Sequence, residues 1–302
     1  PGSPNARLEG NTSIGFGGGI TTIKWTEEDF ANTPEGSMPM PDDVLDADGE
    51  VVESKTTQGW EVGSVEAGLA EADLILDETI VHQSLSHHTL EPRSTMAYWQ
   101  NGKVFIHVST QSLAQGRRAL ASQLDLDIED LVMIGEYCGG GFGSKIAATP
   151  IMQVPALFSR KINRPVMLRI TRAEENYLGR ARPGMQARVR IGFRADGRIT
   201  AIDFFALGDG GPFAGGDQGS SANVASLTYT PLNMRFRGVG VFTNTPPKGA
   251  QRGPGGAQII GMLEPLMDKA ARELGLDRLA LRRLNAPDSD VQYAPRASTL
   301  TS

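Results

Sequence analysis

At 302 residues and 32.3 kDa, with 39% hydrophobic and 21% charged residues, the chain can bury a sizeable core and suits two subdomains. A net charge of −6 and a pI near 5.4 argue against the basic face of a nucleic-acid binder. No apolar run approaches the roughly 18 residues of a membrane helix, and the single cysteine, Cys138, excludes an internal disulfide framework and suits a reducing, cytoplasmic compartment.

The chain opens Pro1-Gly-Ser-Pro4 with no signal-peptide pattern and no initiator Met, which points to a processed or excised piece. Residues 1–60 read as an irregular arm, because Asn32 to Gly49 carries turn formers and little periodicity. Order is expected from about Val62. Val65–Ala72 reads as a short amphipathic helix and Leu74–Val81 as a strand. Ser94–Trp99 and Lys103–Ser109 flank Gln100-Asn-Gly102, a two-residue hairpin signal. A helix follows over Leu113–Leu124, with Leu113, Ala119, Leu120 and Leu124 on one side. Asp130–Ile134 reads as a buried strand, and about Ala147 to Lys161 as a helix carrying apolar Ile151, Val154, Leu157 and Phe158. Strands are expected at Pro165–Thr171, Gln186–Phe193, Ile199–Leu207 and Arg235–Thr243, the middle two joined by Arg194–Arg198. Gln258–Leu274 is the longest helix, with Ile260, Leu263, Leu266, Met267, Ala270 and Ala271 inward and Gly275 as its closing glycine. Asp277–Asn285 adds a short helix. The fold class is α+β, mixed sheets with helices in two subdomains.

The 36 glycines concentrate in Gly15–Gly19, Cys138–Gly143, Gly208–Gly219 and Pro246–Gly256. The first cluster reads as ordinary turn glycine; the others suggest backbone loops closing on one ligand. In Cys138-Gly-Gly-Gly-Phe-Gly-Ser-Lys145 the glycines free the backbone for positive φ between a strand and a helix. Such a junction lets N–H groups meet an anionic or metal-bound ligand. Pro246–Gln258 repeats the arrangement before the longest helix and offers Arg252, a bidentate donor for phosphate or an oxo group. Gln111, at a strand-to-helix junction, can aim a carboxamide at a ligand oxygen, although a capping role is the ordinary one. His87, His88 and Glu91 resemble part of a metal site, but adjacent strand histidines face opposite ways, so a packed surface hairpin is the expected role. Cys138 has no neighbouring base in sequence and reads as packing rather than as a nucleophile.

These segments occur together, in this order, in the molybdenum hydroxylases. From about Val62 to Ser302 the chain resembles the molybdopterin-binding large subunit of the xanthine dehydrogenase and aldehyde oxidase family. The match rests on Leu90-Glu-Pro92, Ser109-Thr-Gln111, Gly139-Gly-Gly-Phe-Gly-Ser-Lys145, Thr243-Asn-Thr-Pro-Pro247, Arg252-Gly-Pro-Gly-Gly-Ala-Gln258, Glu273-Leu-Gly-Leu-Asp277 and Leu281-Arg-Arg-Leu-Asn-Ala286.

The resemblance implies a first molybdopterin domain over 61–302, with the hammerhead and second molybdopterin domains absent from this chain. It implies a molybdopterin cytosine dinucleotide cofactor whose dithiolene holds the molybdenum, so that no protein side chain is a metal ligand. Gln111 corresponds to the glutamine on the apical oxo group; Gly140, Gly141, Phe142 and Gly143 to the loop beside the metal; Arg252 and Gly253 to the second loop near it. Gln111 and Phe142 would be the catalytic residues. The implied activity inserts water-derived oxygen at a C–H of an aldehyde or N-heteroaromatic substrate. Electrons would pass to 2Fe-2S and FAD centres on partner chains. Another chain would carry the second molybdopterin domain and the general base, so the chain would not act alone. A split subunit is expected rather than a fragment.

Departures narrow the substrate. Ile146 stands where purine hydroxylases carry a Glu, and Pro254 where a Phe often sandwiches an aromatic substrate. Gly253-Pro254 also replaces the Cys of carbon monoxide dehydrogenases. Xanthine and carbon monoxide are therefore disfavoured. The rival readings are a non-catalytic structural half-subunit, or a nucleotide-binding protein using the Gly139–Lys145 loop, which lacks both P-loop and dinucleotide-fold spacing.

Overall fold

The computed structural model describes residues 57–212 and 216–287, isolated positions between 31 and 38, and the backbone of 291–293 and 297–299. The Gly15–Gly19 cluster and nearly all of the expected arm lie outside the described residues. The chain forms two compact units, the first from Pro1–Ser84, Pro183–Thr243 and Gly253–Ser302, the second from Leu85–Arg182 and Asn244–Arg252.

In the first unit, strands β1 (Thr57–Val62) and β2 (Leu74–His82) close the two edges of a five-stranded sheet. Between them lie β9 (Met185–Phe193), β10 (Ile199–Asp209) and β11 (Met234–Val241), in the order β1-β11-β10-β9-β2. Only the β10–β11 pair is parallel. One face of β9 and β10 buries Ala187, Val189, Ile191, Phe193, Ile202, Phe204 and Ala206, as period-two alternation requires. Against that face pack α5 (Gln218–Thr228) and the long α6 (Gly256–Leu274). The α6 helix ends at left-handed Gly275, whose N–H returns to the Ala271 and Arg272 carbonyls. Its inward side is Ile259, Met262, Leu263, Leu266, Met267, Ala270 and Ala271; Ile260, expected inside, is 41% exposed. Helices α1 (Val65–Ala70) and α7 (Arg278–Asn285) and an antiparallel pair, β12 (Val291–Tyr293) with β13 (Ala297–Thr299), complete the unit. Residues 57–60 belong to β1 rather than to an arm, because each pairs across to β11.

The second unit has a four-stranded sheet, ordered β6-β5-β4-β7, from β4 (Ser94–Gln100), β5 (Lys103–Val108), β6 (Leu131–Ile134) and β7 (Val166–Arg169). The predicted hairpin is present: Gln100 pairs Lys103 across Asn101 and Gly102, both at positive φ, as a two-residue primed turn demands. Helices α2 (Leu113–Gln123) and α3 (Pro150–Ile162) cover one sheet face over Ala97, Val104, Ile106, Leu120, Leu131, Met152 and Ala156. On α2, Gly116, Leu120 and Ala121 turn inward while Leu113 stays exposed.

The α3 helix starts at Pro150 after Thr149, later than expected, because a proline is readily accepted in the first helical turn. It buries Ile151, Met152, Pro155 and Ala156, and presents Val154, Leu157 and Phe158 outward. Helix α4 (Arg172–Leu178) and the short pair β3 (Leu85–Ser86) with β8 (Ala181–Arg182) complete this unit. The α4 helix carries a capping box at Thr171 and Glu174 that marks its start in the sequence. No helix among the described residues is long and apolar enough to cross a membrane.

Candidate functional site

The second unit gathers Gln111, the Gly139–Lys145 loop and Arg252. Strand β5 ends at Val108 and α2 begins at Leu113, so the turn between them projects Gln111 into solvent. The loop after β6 wraps against that turn. Gly143 N–H donates to Gln111 Oε1 at 2.8 Å and Lys145 N–H at 3.3 Å, while Gln111 N–H donates to the Lys145 carbonyl at 3.1 Å. Two N–H donors on one oxygen fix which way the carboxamide points. Its Nε2 has no hydrogen-bond acceptor among the described residues.

The glycines at 141 and 143 are required by close approach. A Cβ on Gly141 would run into the Gln111 carboxamide oxygen, and one on Gly143 into the Ala250 carbonyl. Between them Phe142 takes a positive φ of 52°, rare for an aromatic residue, and leaves its ring 46% exposed. Such strain persists only where surrounding bonds over-determine it. Here the Phe142 carbonyl accepts the Arg252 N–H at 2.8 Å, and the Arg252 guanidinium lies 5.9 Å from the Phe142 ring centre. Gly140 turns at φ +100° beside the same ring.

The second loop is held from β8. Ala181 N–H donates to the Pro247 carbonyl at 3.0 Å and Gly249 N–H returns to the Ala181 carbonyl at 3.0 Å. Arg182 donates to Gln251 Oε1 at 2.8 Å and to the Arg252 carbonyl at 2.7 Å. His87 closes the arrangement, with Nδ1 2.7 Å from the Arg180 carbonyl and Nε2 2.9 Å from that of Ala250. A carbonyl oxygen thus stands against each ring nitrogen, which leaves neither open toward a metal in this arrangement; His88 is exposed at φ 47°. Gly253 follows Arg252 in the chain but belongs to the first unit. Among the described residues no group of three His, Cys, Asp or Glu is placed to hold a metal ion.

Beneath the glycine loop lies what sequence reasoning missed. The Lys145 side chain is fully buried, and its Nζ reaches the Glu91 carbonyl at 2.8 Å, Glu91 Oε2 at 3.2 Å and Ser109 Oγ at 2.6 Å. Those three acceptors take all the protons of an ammonium group, leaving none for a phosphate outside. Glu91 Oε2 also accepts Ser109 Oγ–H at 2.6 Å and Gly139 N–H at 2.6 Å. Burial raises the Glu91 carboxyl, but Ser109, Gly139 and Lys145 together outweigh it and hold the group below its ordinary value. Arg93, ion-paired with buried Glu175, donates to the Ser144 carbonyl at 2.5 Å. Burial pulls its guanidinium below the usual value and Glu175 opposes that. Cys138 is exposed; its Sγ is 3.8 Å from Ser109 Oγ.

The signal in the sequence was the trio of segments around Glu91, Ser109 and Lys145, legible as recurring motifs though not as mutual contacts. The fold and this site have counterparts in known proteins. Residues 48–286 match the model of the molybdopterin cofactor-binding domain. The aldehyde oxidoreductase molybdenum-binding subunit PaoC of Escherichia coli K12 is 32% identical over 71% of this chain and 28% of its own length. The nicotinate dehydrogenase large molybdopterin subunit of Eubacterium barkeri is 29% identical over 88% of this chain and 62% of its own. The chain thus spans less than two thirds of either relative.

Among solved structures, the aldehyde oxidoreductase from Desulfovibrio gigas superposes with a TM-score of 0.71 at 28% identity, over 76% of this chain and 26% of that one. The quinoline 2-oxidoreductase from Pseudomonas putida 86 shares the fold, with a TM-score of 0.72 at 23% identity over 76% of this chain and 30% of that one. The chain therefore belongs to the molybdopterin cofactor-binding domains of the molybdenum hydroxylase (xanthine dehydrogenase and aldehyde oxidase) family.

Proposed function

We propose that this chain forms one wall of a molybdenum-cofactor pocket in a multi-subunit hydroxylase. The observation that carries this reading is the Gln111 carboxamide. Its oxygen is consumed by two N–H groups of the glycine loop, which leaves its Nε2 as an unspent donor facing out. Such a pre-aimed donor suits an oxo ligand and would not suit a metal cation.

The residues present fit the implied cofactor. Gln111 would donate to the oxo group; Gly140, Gly141, Phe142 and Gly143 would lie along it; Arg252, followed by Gly253, would complete the binding residues. When bound, the molybdopterin cytosine dinucleotide would supply the two-electron redox chemistry. The chain itself would orient the oxo group through Gln111 and shield one side of the site with the Phe142 ring. The Arg252 guanidinium beside that ring would add positive charge where an anionic group can sit.

On this reading residues 61–302 are the first molybdopterin domain. The second molybdopterin domain and the general base would lie outside these residues, with 2Fe-2S and FAD partners taking the electrons. The substrate would be an aldehyde or an N-heteroaromatic. Ile146 puts an apolar group where a purine site needs a carboxylate.

Metal analysis and nucleotide release on the purified complex test the reading. Molybdenum and CMP are expected in equal amounts. A complex that turns over substrate with neither would overturn it. Gln111→Ala should leave assembly intact and cut turnover strongly, whereas unchanged turnover would favour a structural half-subunit.

A further inference from the structure

The Lys145 side chain is fully enclosed beneath the glycine loop, where Glu91 and Ser109 satisfy its ammonium group. A buried ammonium is costly unless paired and hydrogen-bonded, so a lysine fully enclosed beneath a loop has to be explained by what it holds. Three segments meet at it: Glu91 before β4, Ser109 after β5, and the loop after β6. Few backbone bonds join these segments directly. Glu91 N–H donates to the Gly139 carbonyl at 3.2 Å and Gln111 N–H to that of Lys145 at 3.1 Å, whereas the side-chain network contributes five contacts of 2.6 to 3.2 Å around Nζ and Oε2.

We infer that Lys145 and Glu91 are positioning residues, an ion pair between an enclosed ammonium and a partly exposed carboxylate that fixes the Gly139–Ser144 loop and, through it, the direction of the Gln111 carboxamide. The path is explicit. Glu91 Oε2 anchors the loop entrance at Gly139 N–H, and Lys145 Nζ anchors its exit to the same carboxylate. With both ends fixed, the N–H groups of Gly143 and Lys145 stay on Gln111 Oε1, so Nε2 keeps facing outward. Thr110 Oγ–H, 2.9 Å from the Lys145 carbonyl, braces the same point. This inference rests on the proposed role of Gln111, but the loop-fixing part of it does not depend on which cofactor is bound.

The test is amide hydrogen exchange on the assembled complex, with turnover measured per bound molybdenum. The variants are Lys145→Met, Glu91→Gln, the double substitution and the milder Ser109→Ala. Each single change should speed exchange at Gly139, Gly143 and Lys145 by tenfold or more, and leave the β9–β10 amides unchanged. Turnover per molybdenum should fall in kcat with little change in KM. The double variant should be no worse than the poorer single, because the pair acts as one unit. If Lys145→Met does not assemble, Ser109→Ala gives the same readout from the third corner of the network. Unchanged loop exchange, or additive effects in the double variant, would overturn the inference. Faster loop exchange in the variants of a parent complex that turns over substrate without molybdenum would instead sink the cofactor reading and leave the positioning role standing.

Discussion

Two ion-pair networks, one in each unit and each built on one fully enclosed charge, use the same chemistry for different ends. In the first unit Asp203 is fully enclosed and accepts from Arg235 at 2.8 Å and Arg237 at 2.9 Å. Its partners lie on β11, which the sheet ladder already holds beside β10, with Asp203 opposite Arg235. That network adds to what the ladder fixes. In the second unit Glu91 and Lys145 join loops outside the strand ladders, where isolated backbone bonds from Glu91 N–H to the Gly139 carbonyl and from Gln111 N–H to that of Lys145 act together with the side chains. An enclosed charge can thus serve function where few backbone bonds join the segments it links.

Four substitutions or conditions would break or sharpen this contrast. The largest loss of stability is expected from Asp203→Ala, which removes the fully enclosed carboxylate shared by Arg235 and Arg237. It should cost about 3 kcal/mol in denaturant unfolding, softened because Arg235 keeps Glu66 at 3.1 Å, while the properly folded fraction keeps its turnover. Lys145→Met should cost less, about 1–3 kcal/mol, because the Glu91 side chain is 35% exposed and can recover solvent. Its kinetic penalty should nevertheless exceed that of Asp203→Ala, and the reverse order would erase the distinction drawn between the networks.

Gly141→Ala places a methyl group against the Gln111 oxygen. About 1–3 kcal/mol of overpacking is expected, read by thermal unfolding, with a disproportionate fall in turnover as the carboxamide is pushed aside. The smallest effect is a pH dependence. Folding holds the Glu91 carboxyl below its ordinary 4.5, so its contribution is complete above that pH and is lost as the pH falls through the lower folded value. Stability measured against pH should therefore drop less steeply on the acid side in Glu91→Gln than in the parent chain.

Much of the fold could be read from the sequence where periodicity and turn chemistry agreed. The Asn101-Gly102 turn, the β9–β10 hairpin and the Gly275 helix end have local causes, and local causes are visible in a chain. The helix α5 was missed because Gln218-Gly-Ser-Ser-Ala-Asn-Val carries small, weak helix formers. Tertiary contact supports it instead: Ala222 and Ala225 pack into the first unit's core.

On α6 the inward side was read one position off at Ile260, since a stripe with Ile259 and Ile260 adjacent does not say which of the two faces in. For the site, Gln111, Phe142 and Arg252 were named through their motifs, and the structure brings them close together within one unit. Lys145 was read only as part of its loop, and the fold shows its side chain turned under that loop onto Glu91. Glu91 was weighed only beside His87 and His88, because its partner lies 54 residues away.

The most direct test of the account is turnover per bound molybdenum in Gln111→Glu. That change keeps the shape and the oxygen that accepts from Gly143, but replaces the outward donor with an acceptor. The account predicts a complex that still assembles and still contains molybdenum, with turnover per molybdenum lower by about 10²-fold, the scale of losing one pre-aimed donor. Unchanged turnover at unchanged molybdenum content would contradict it.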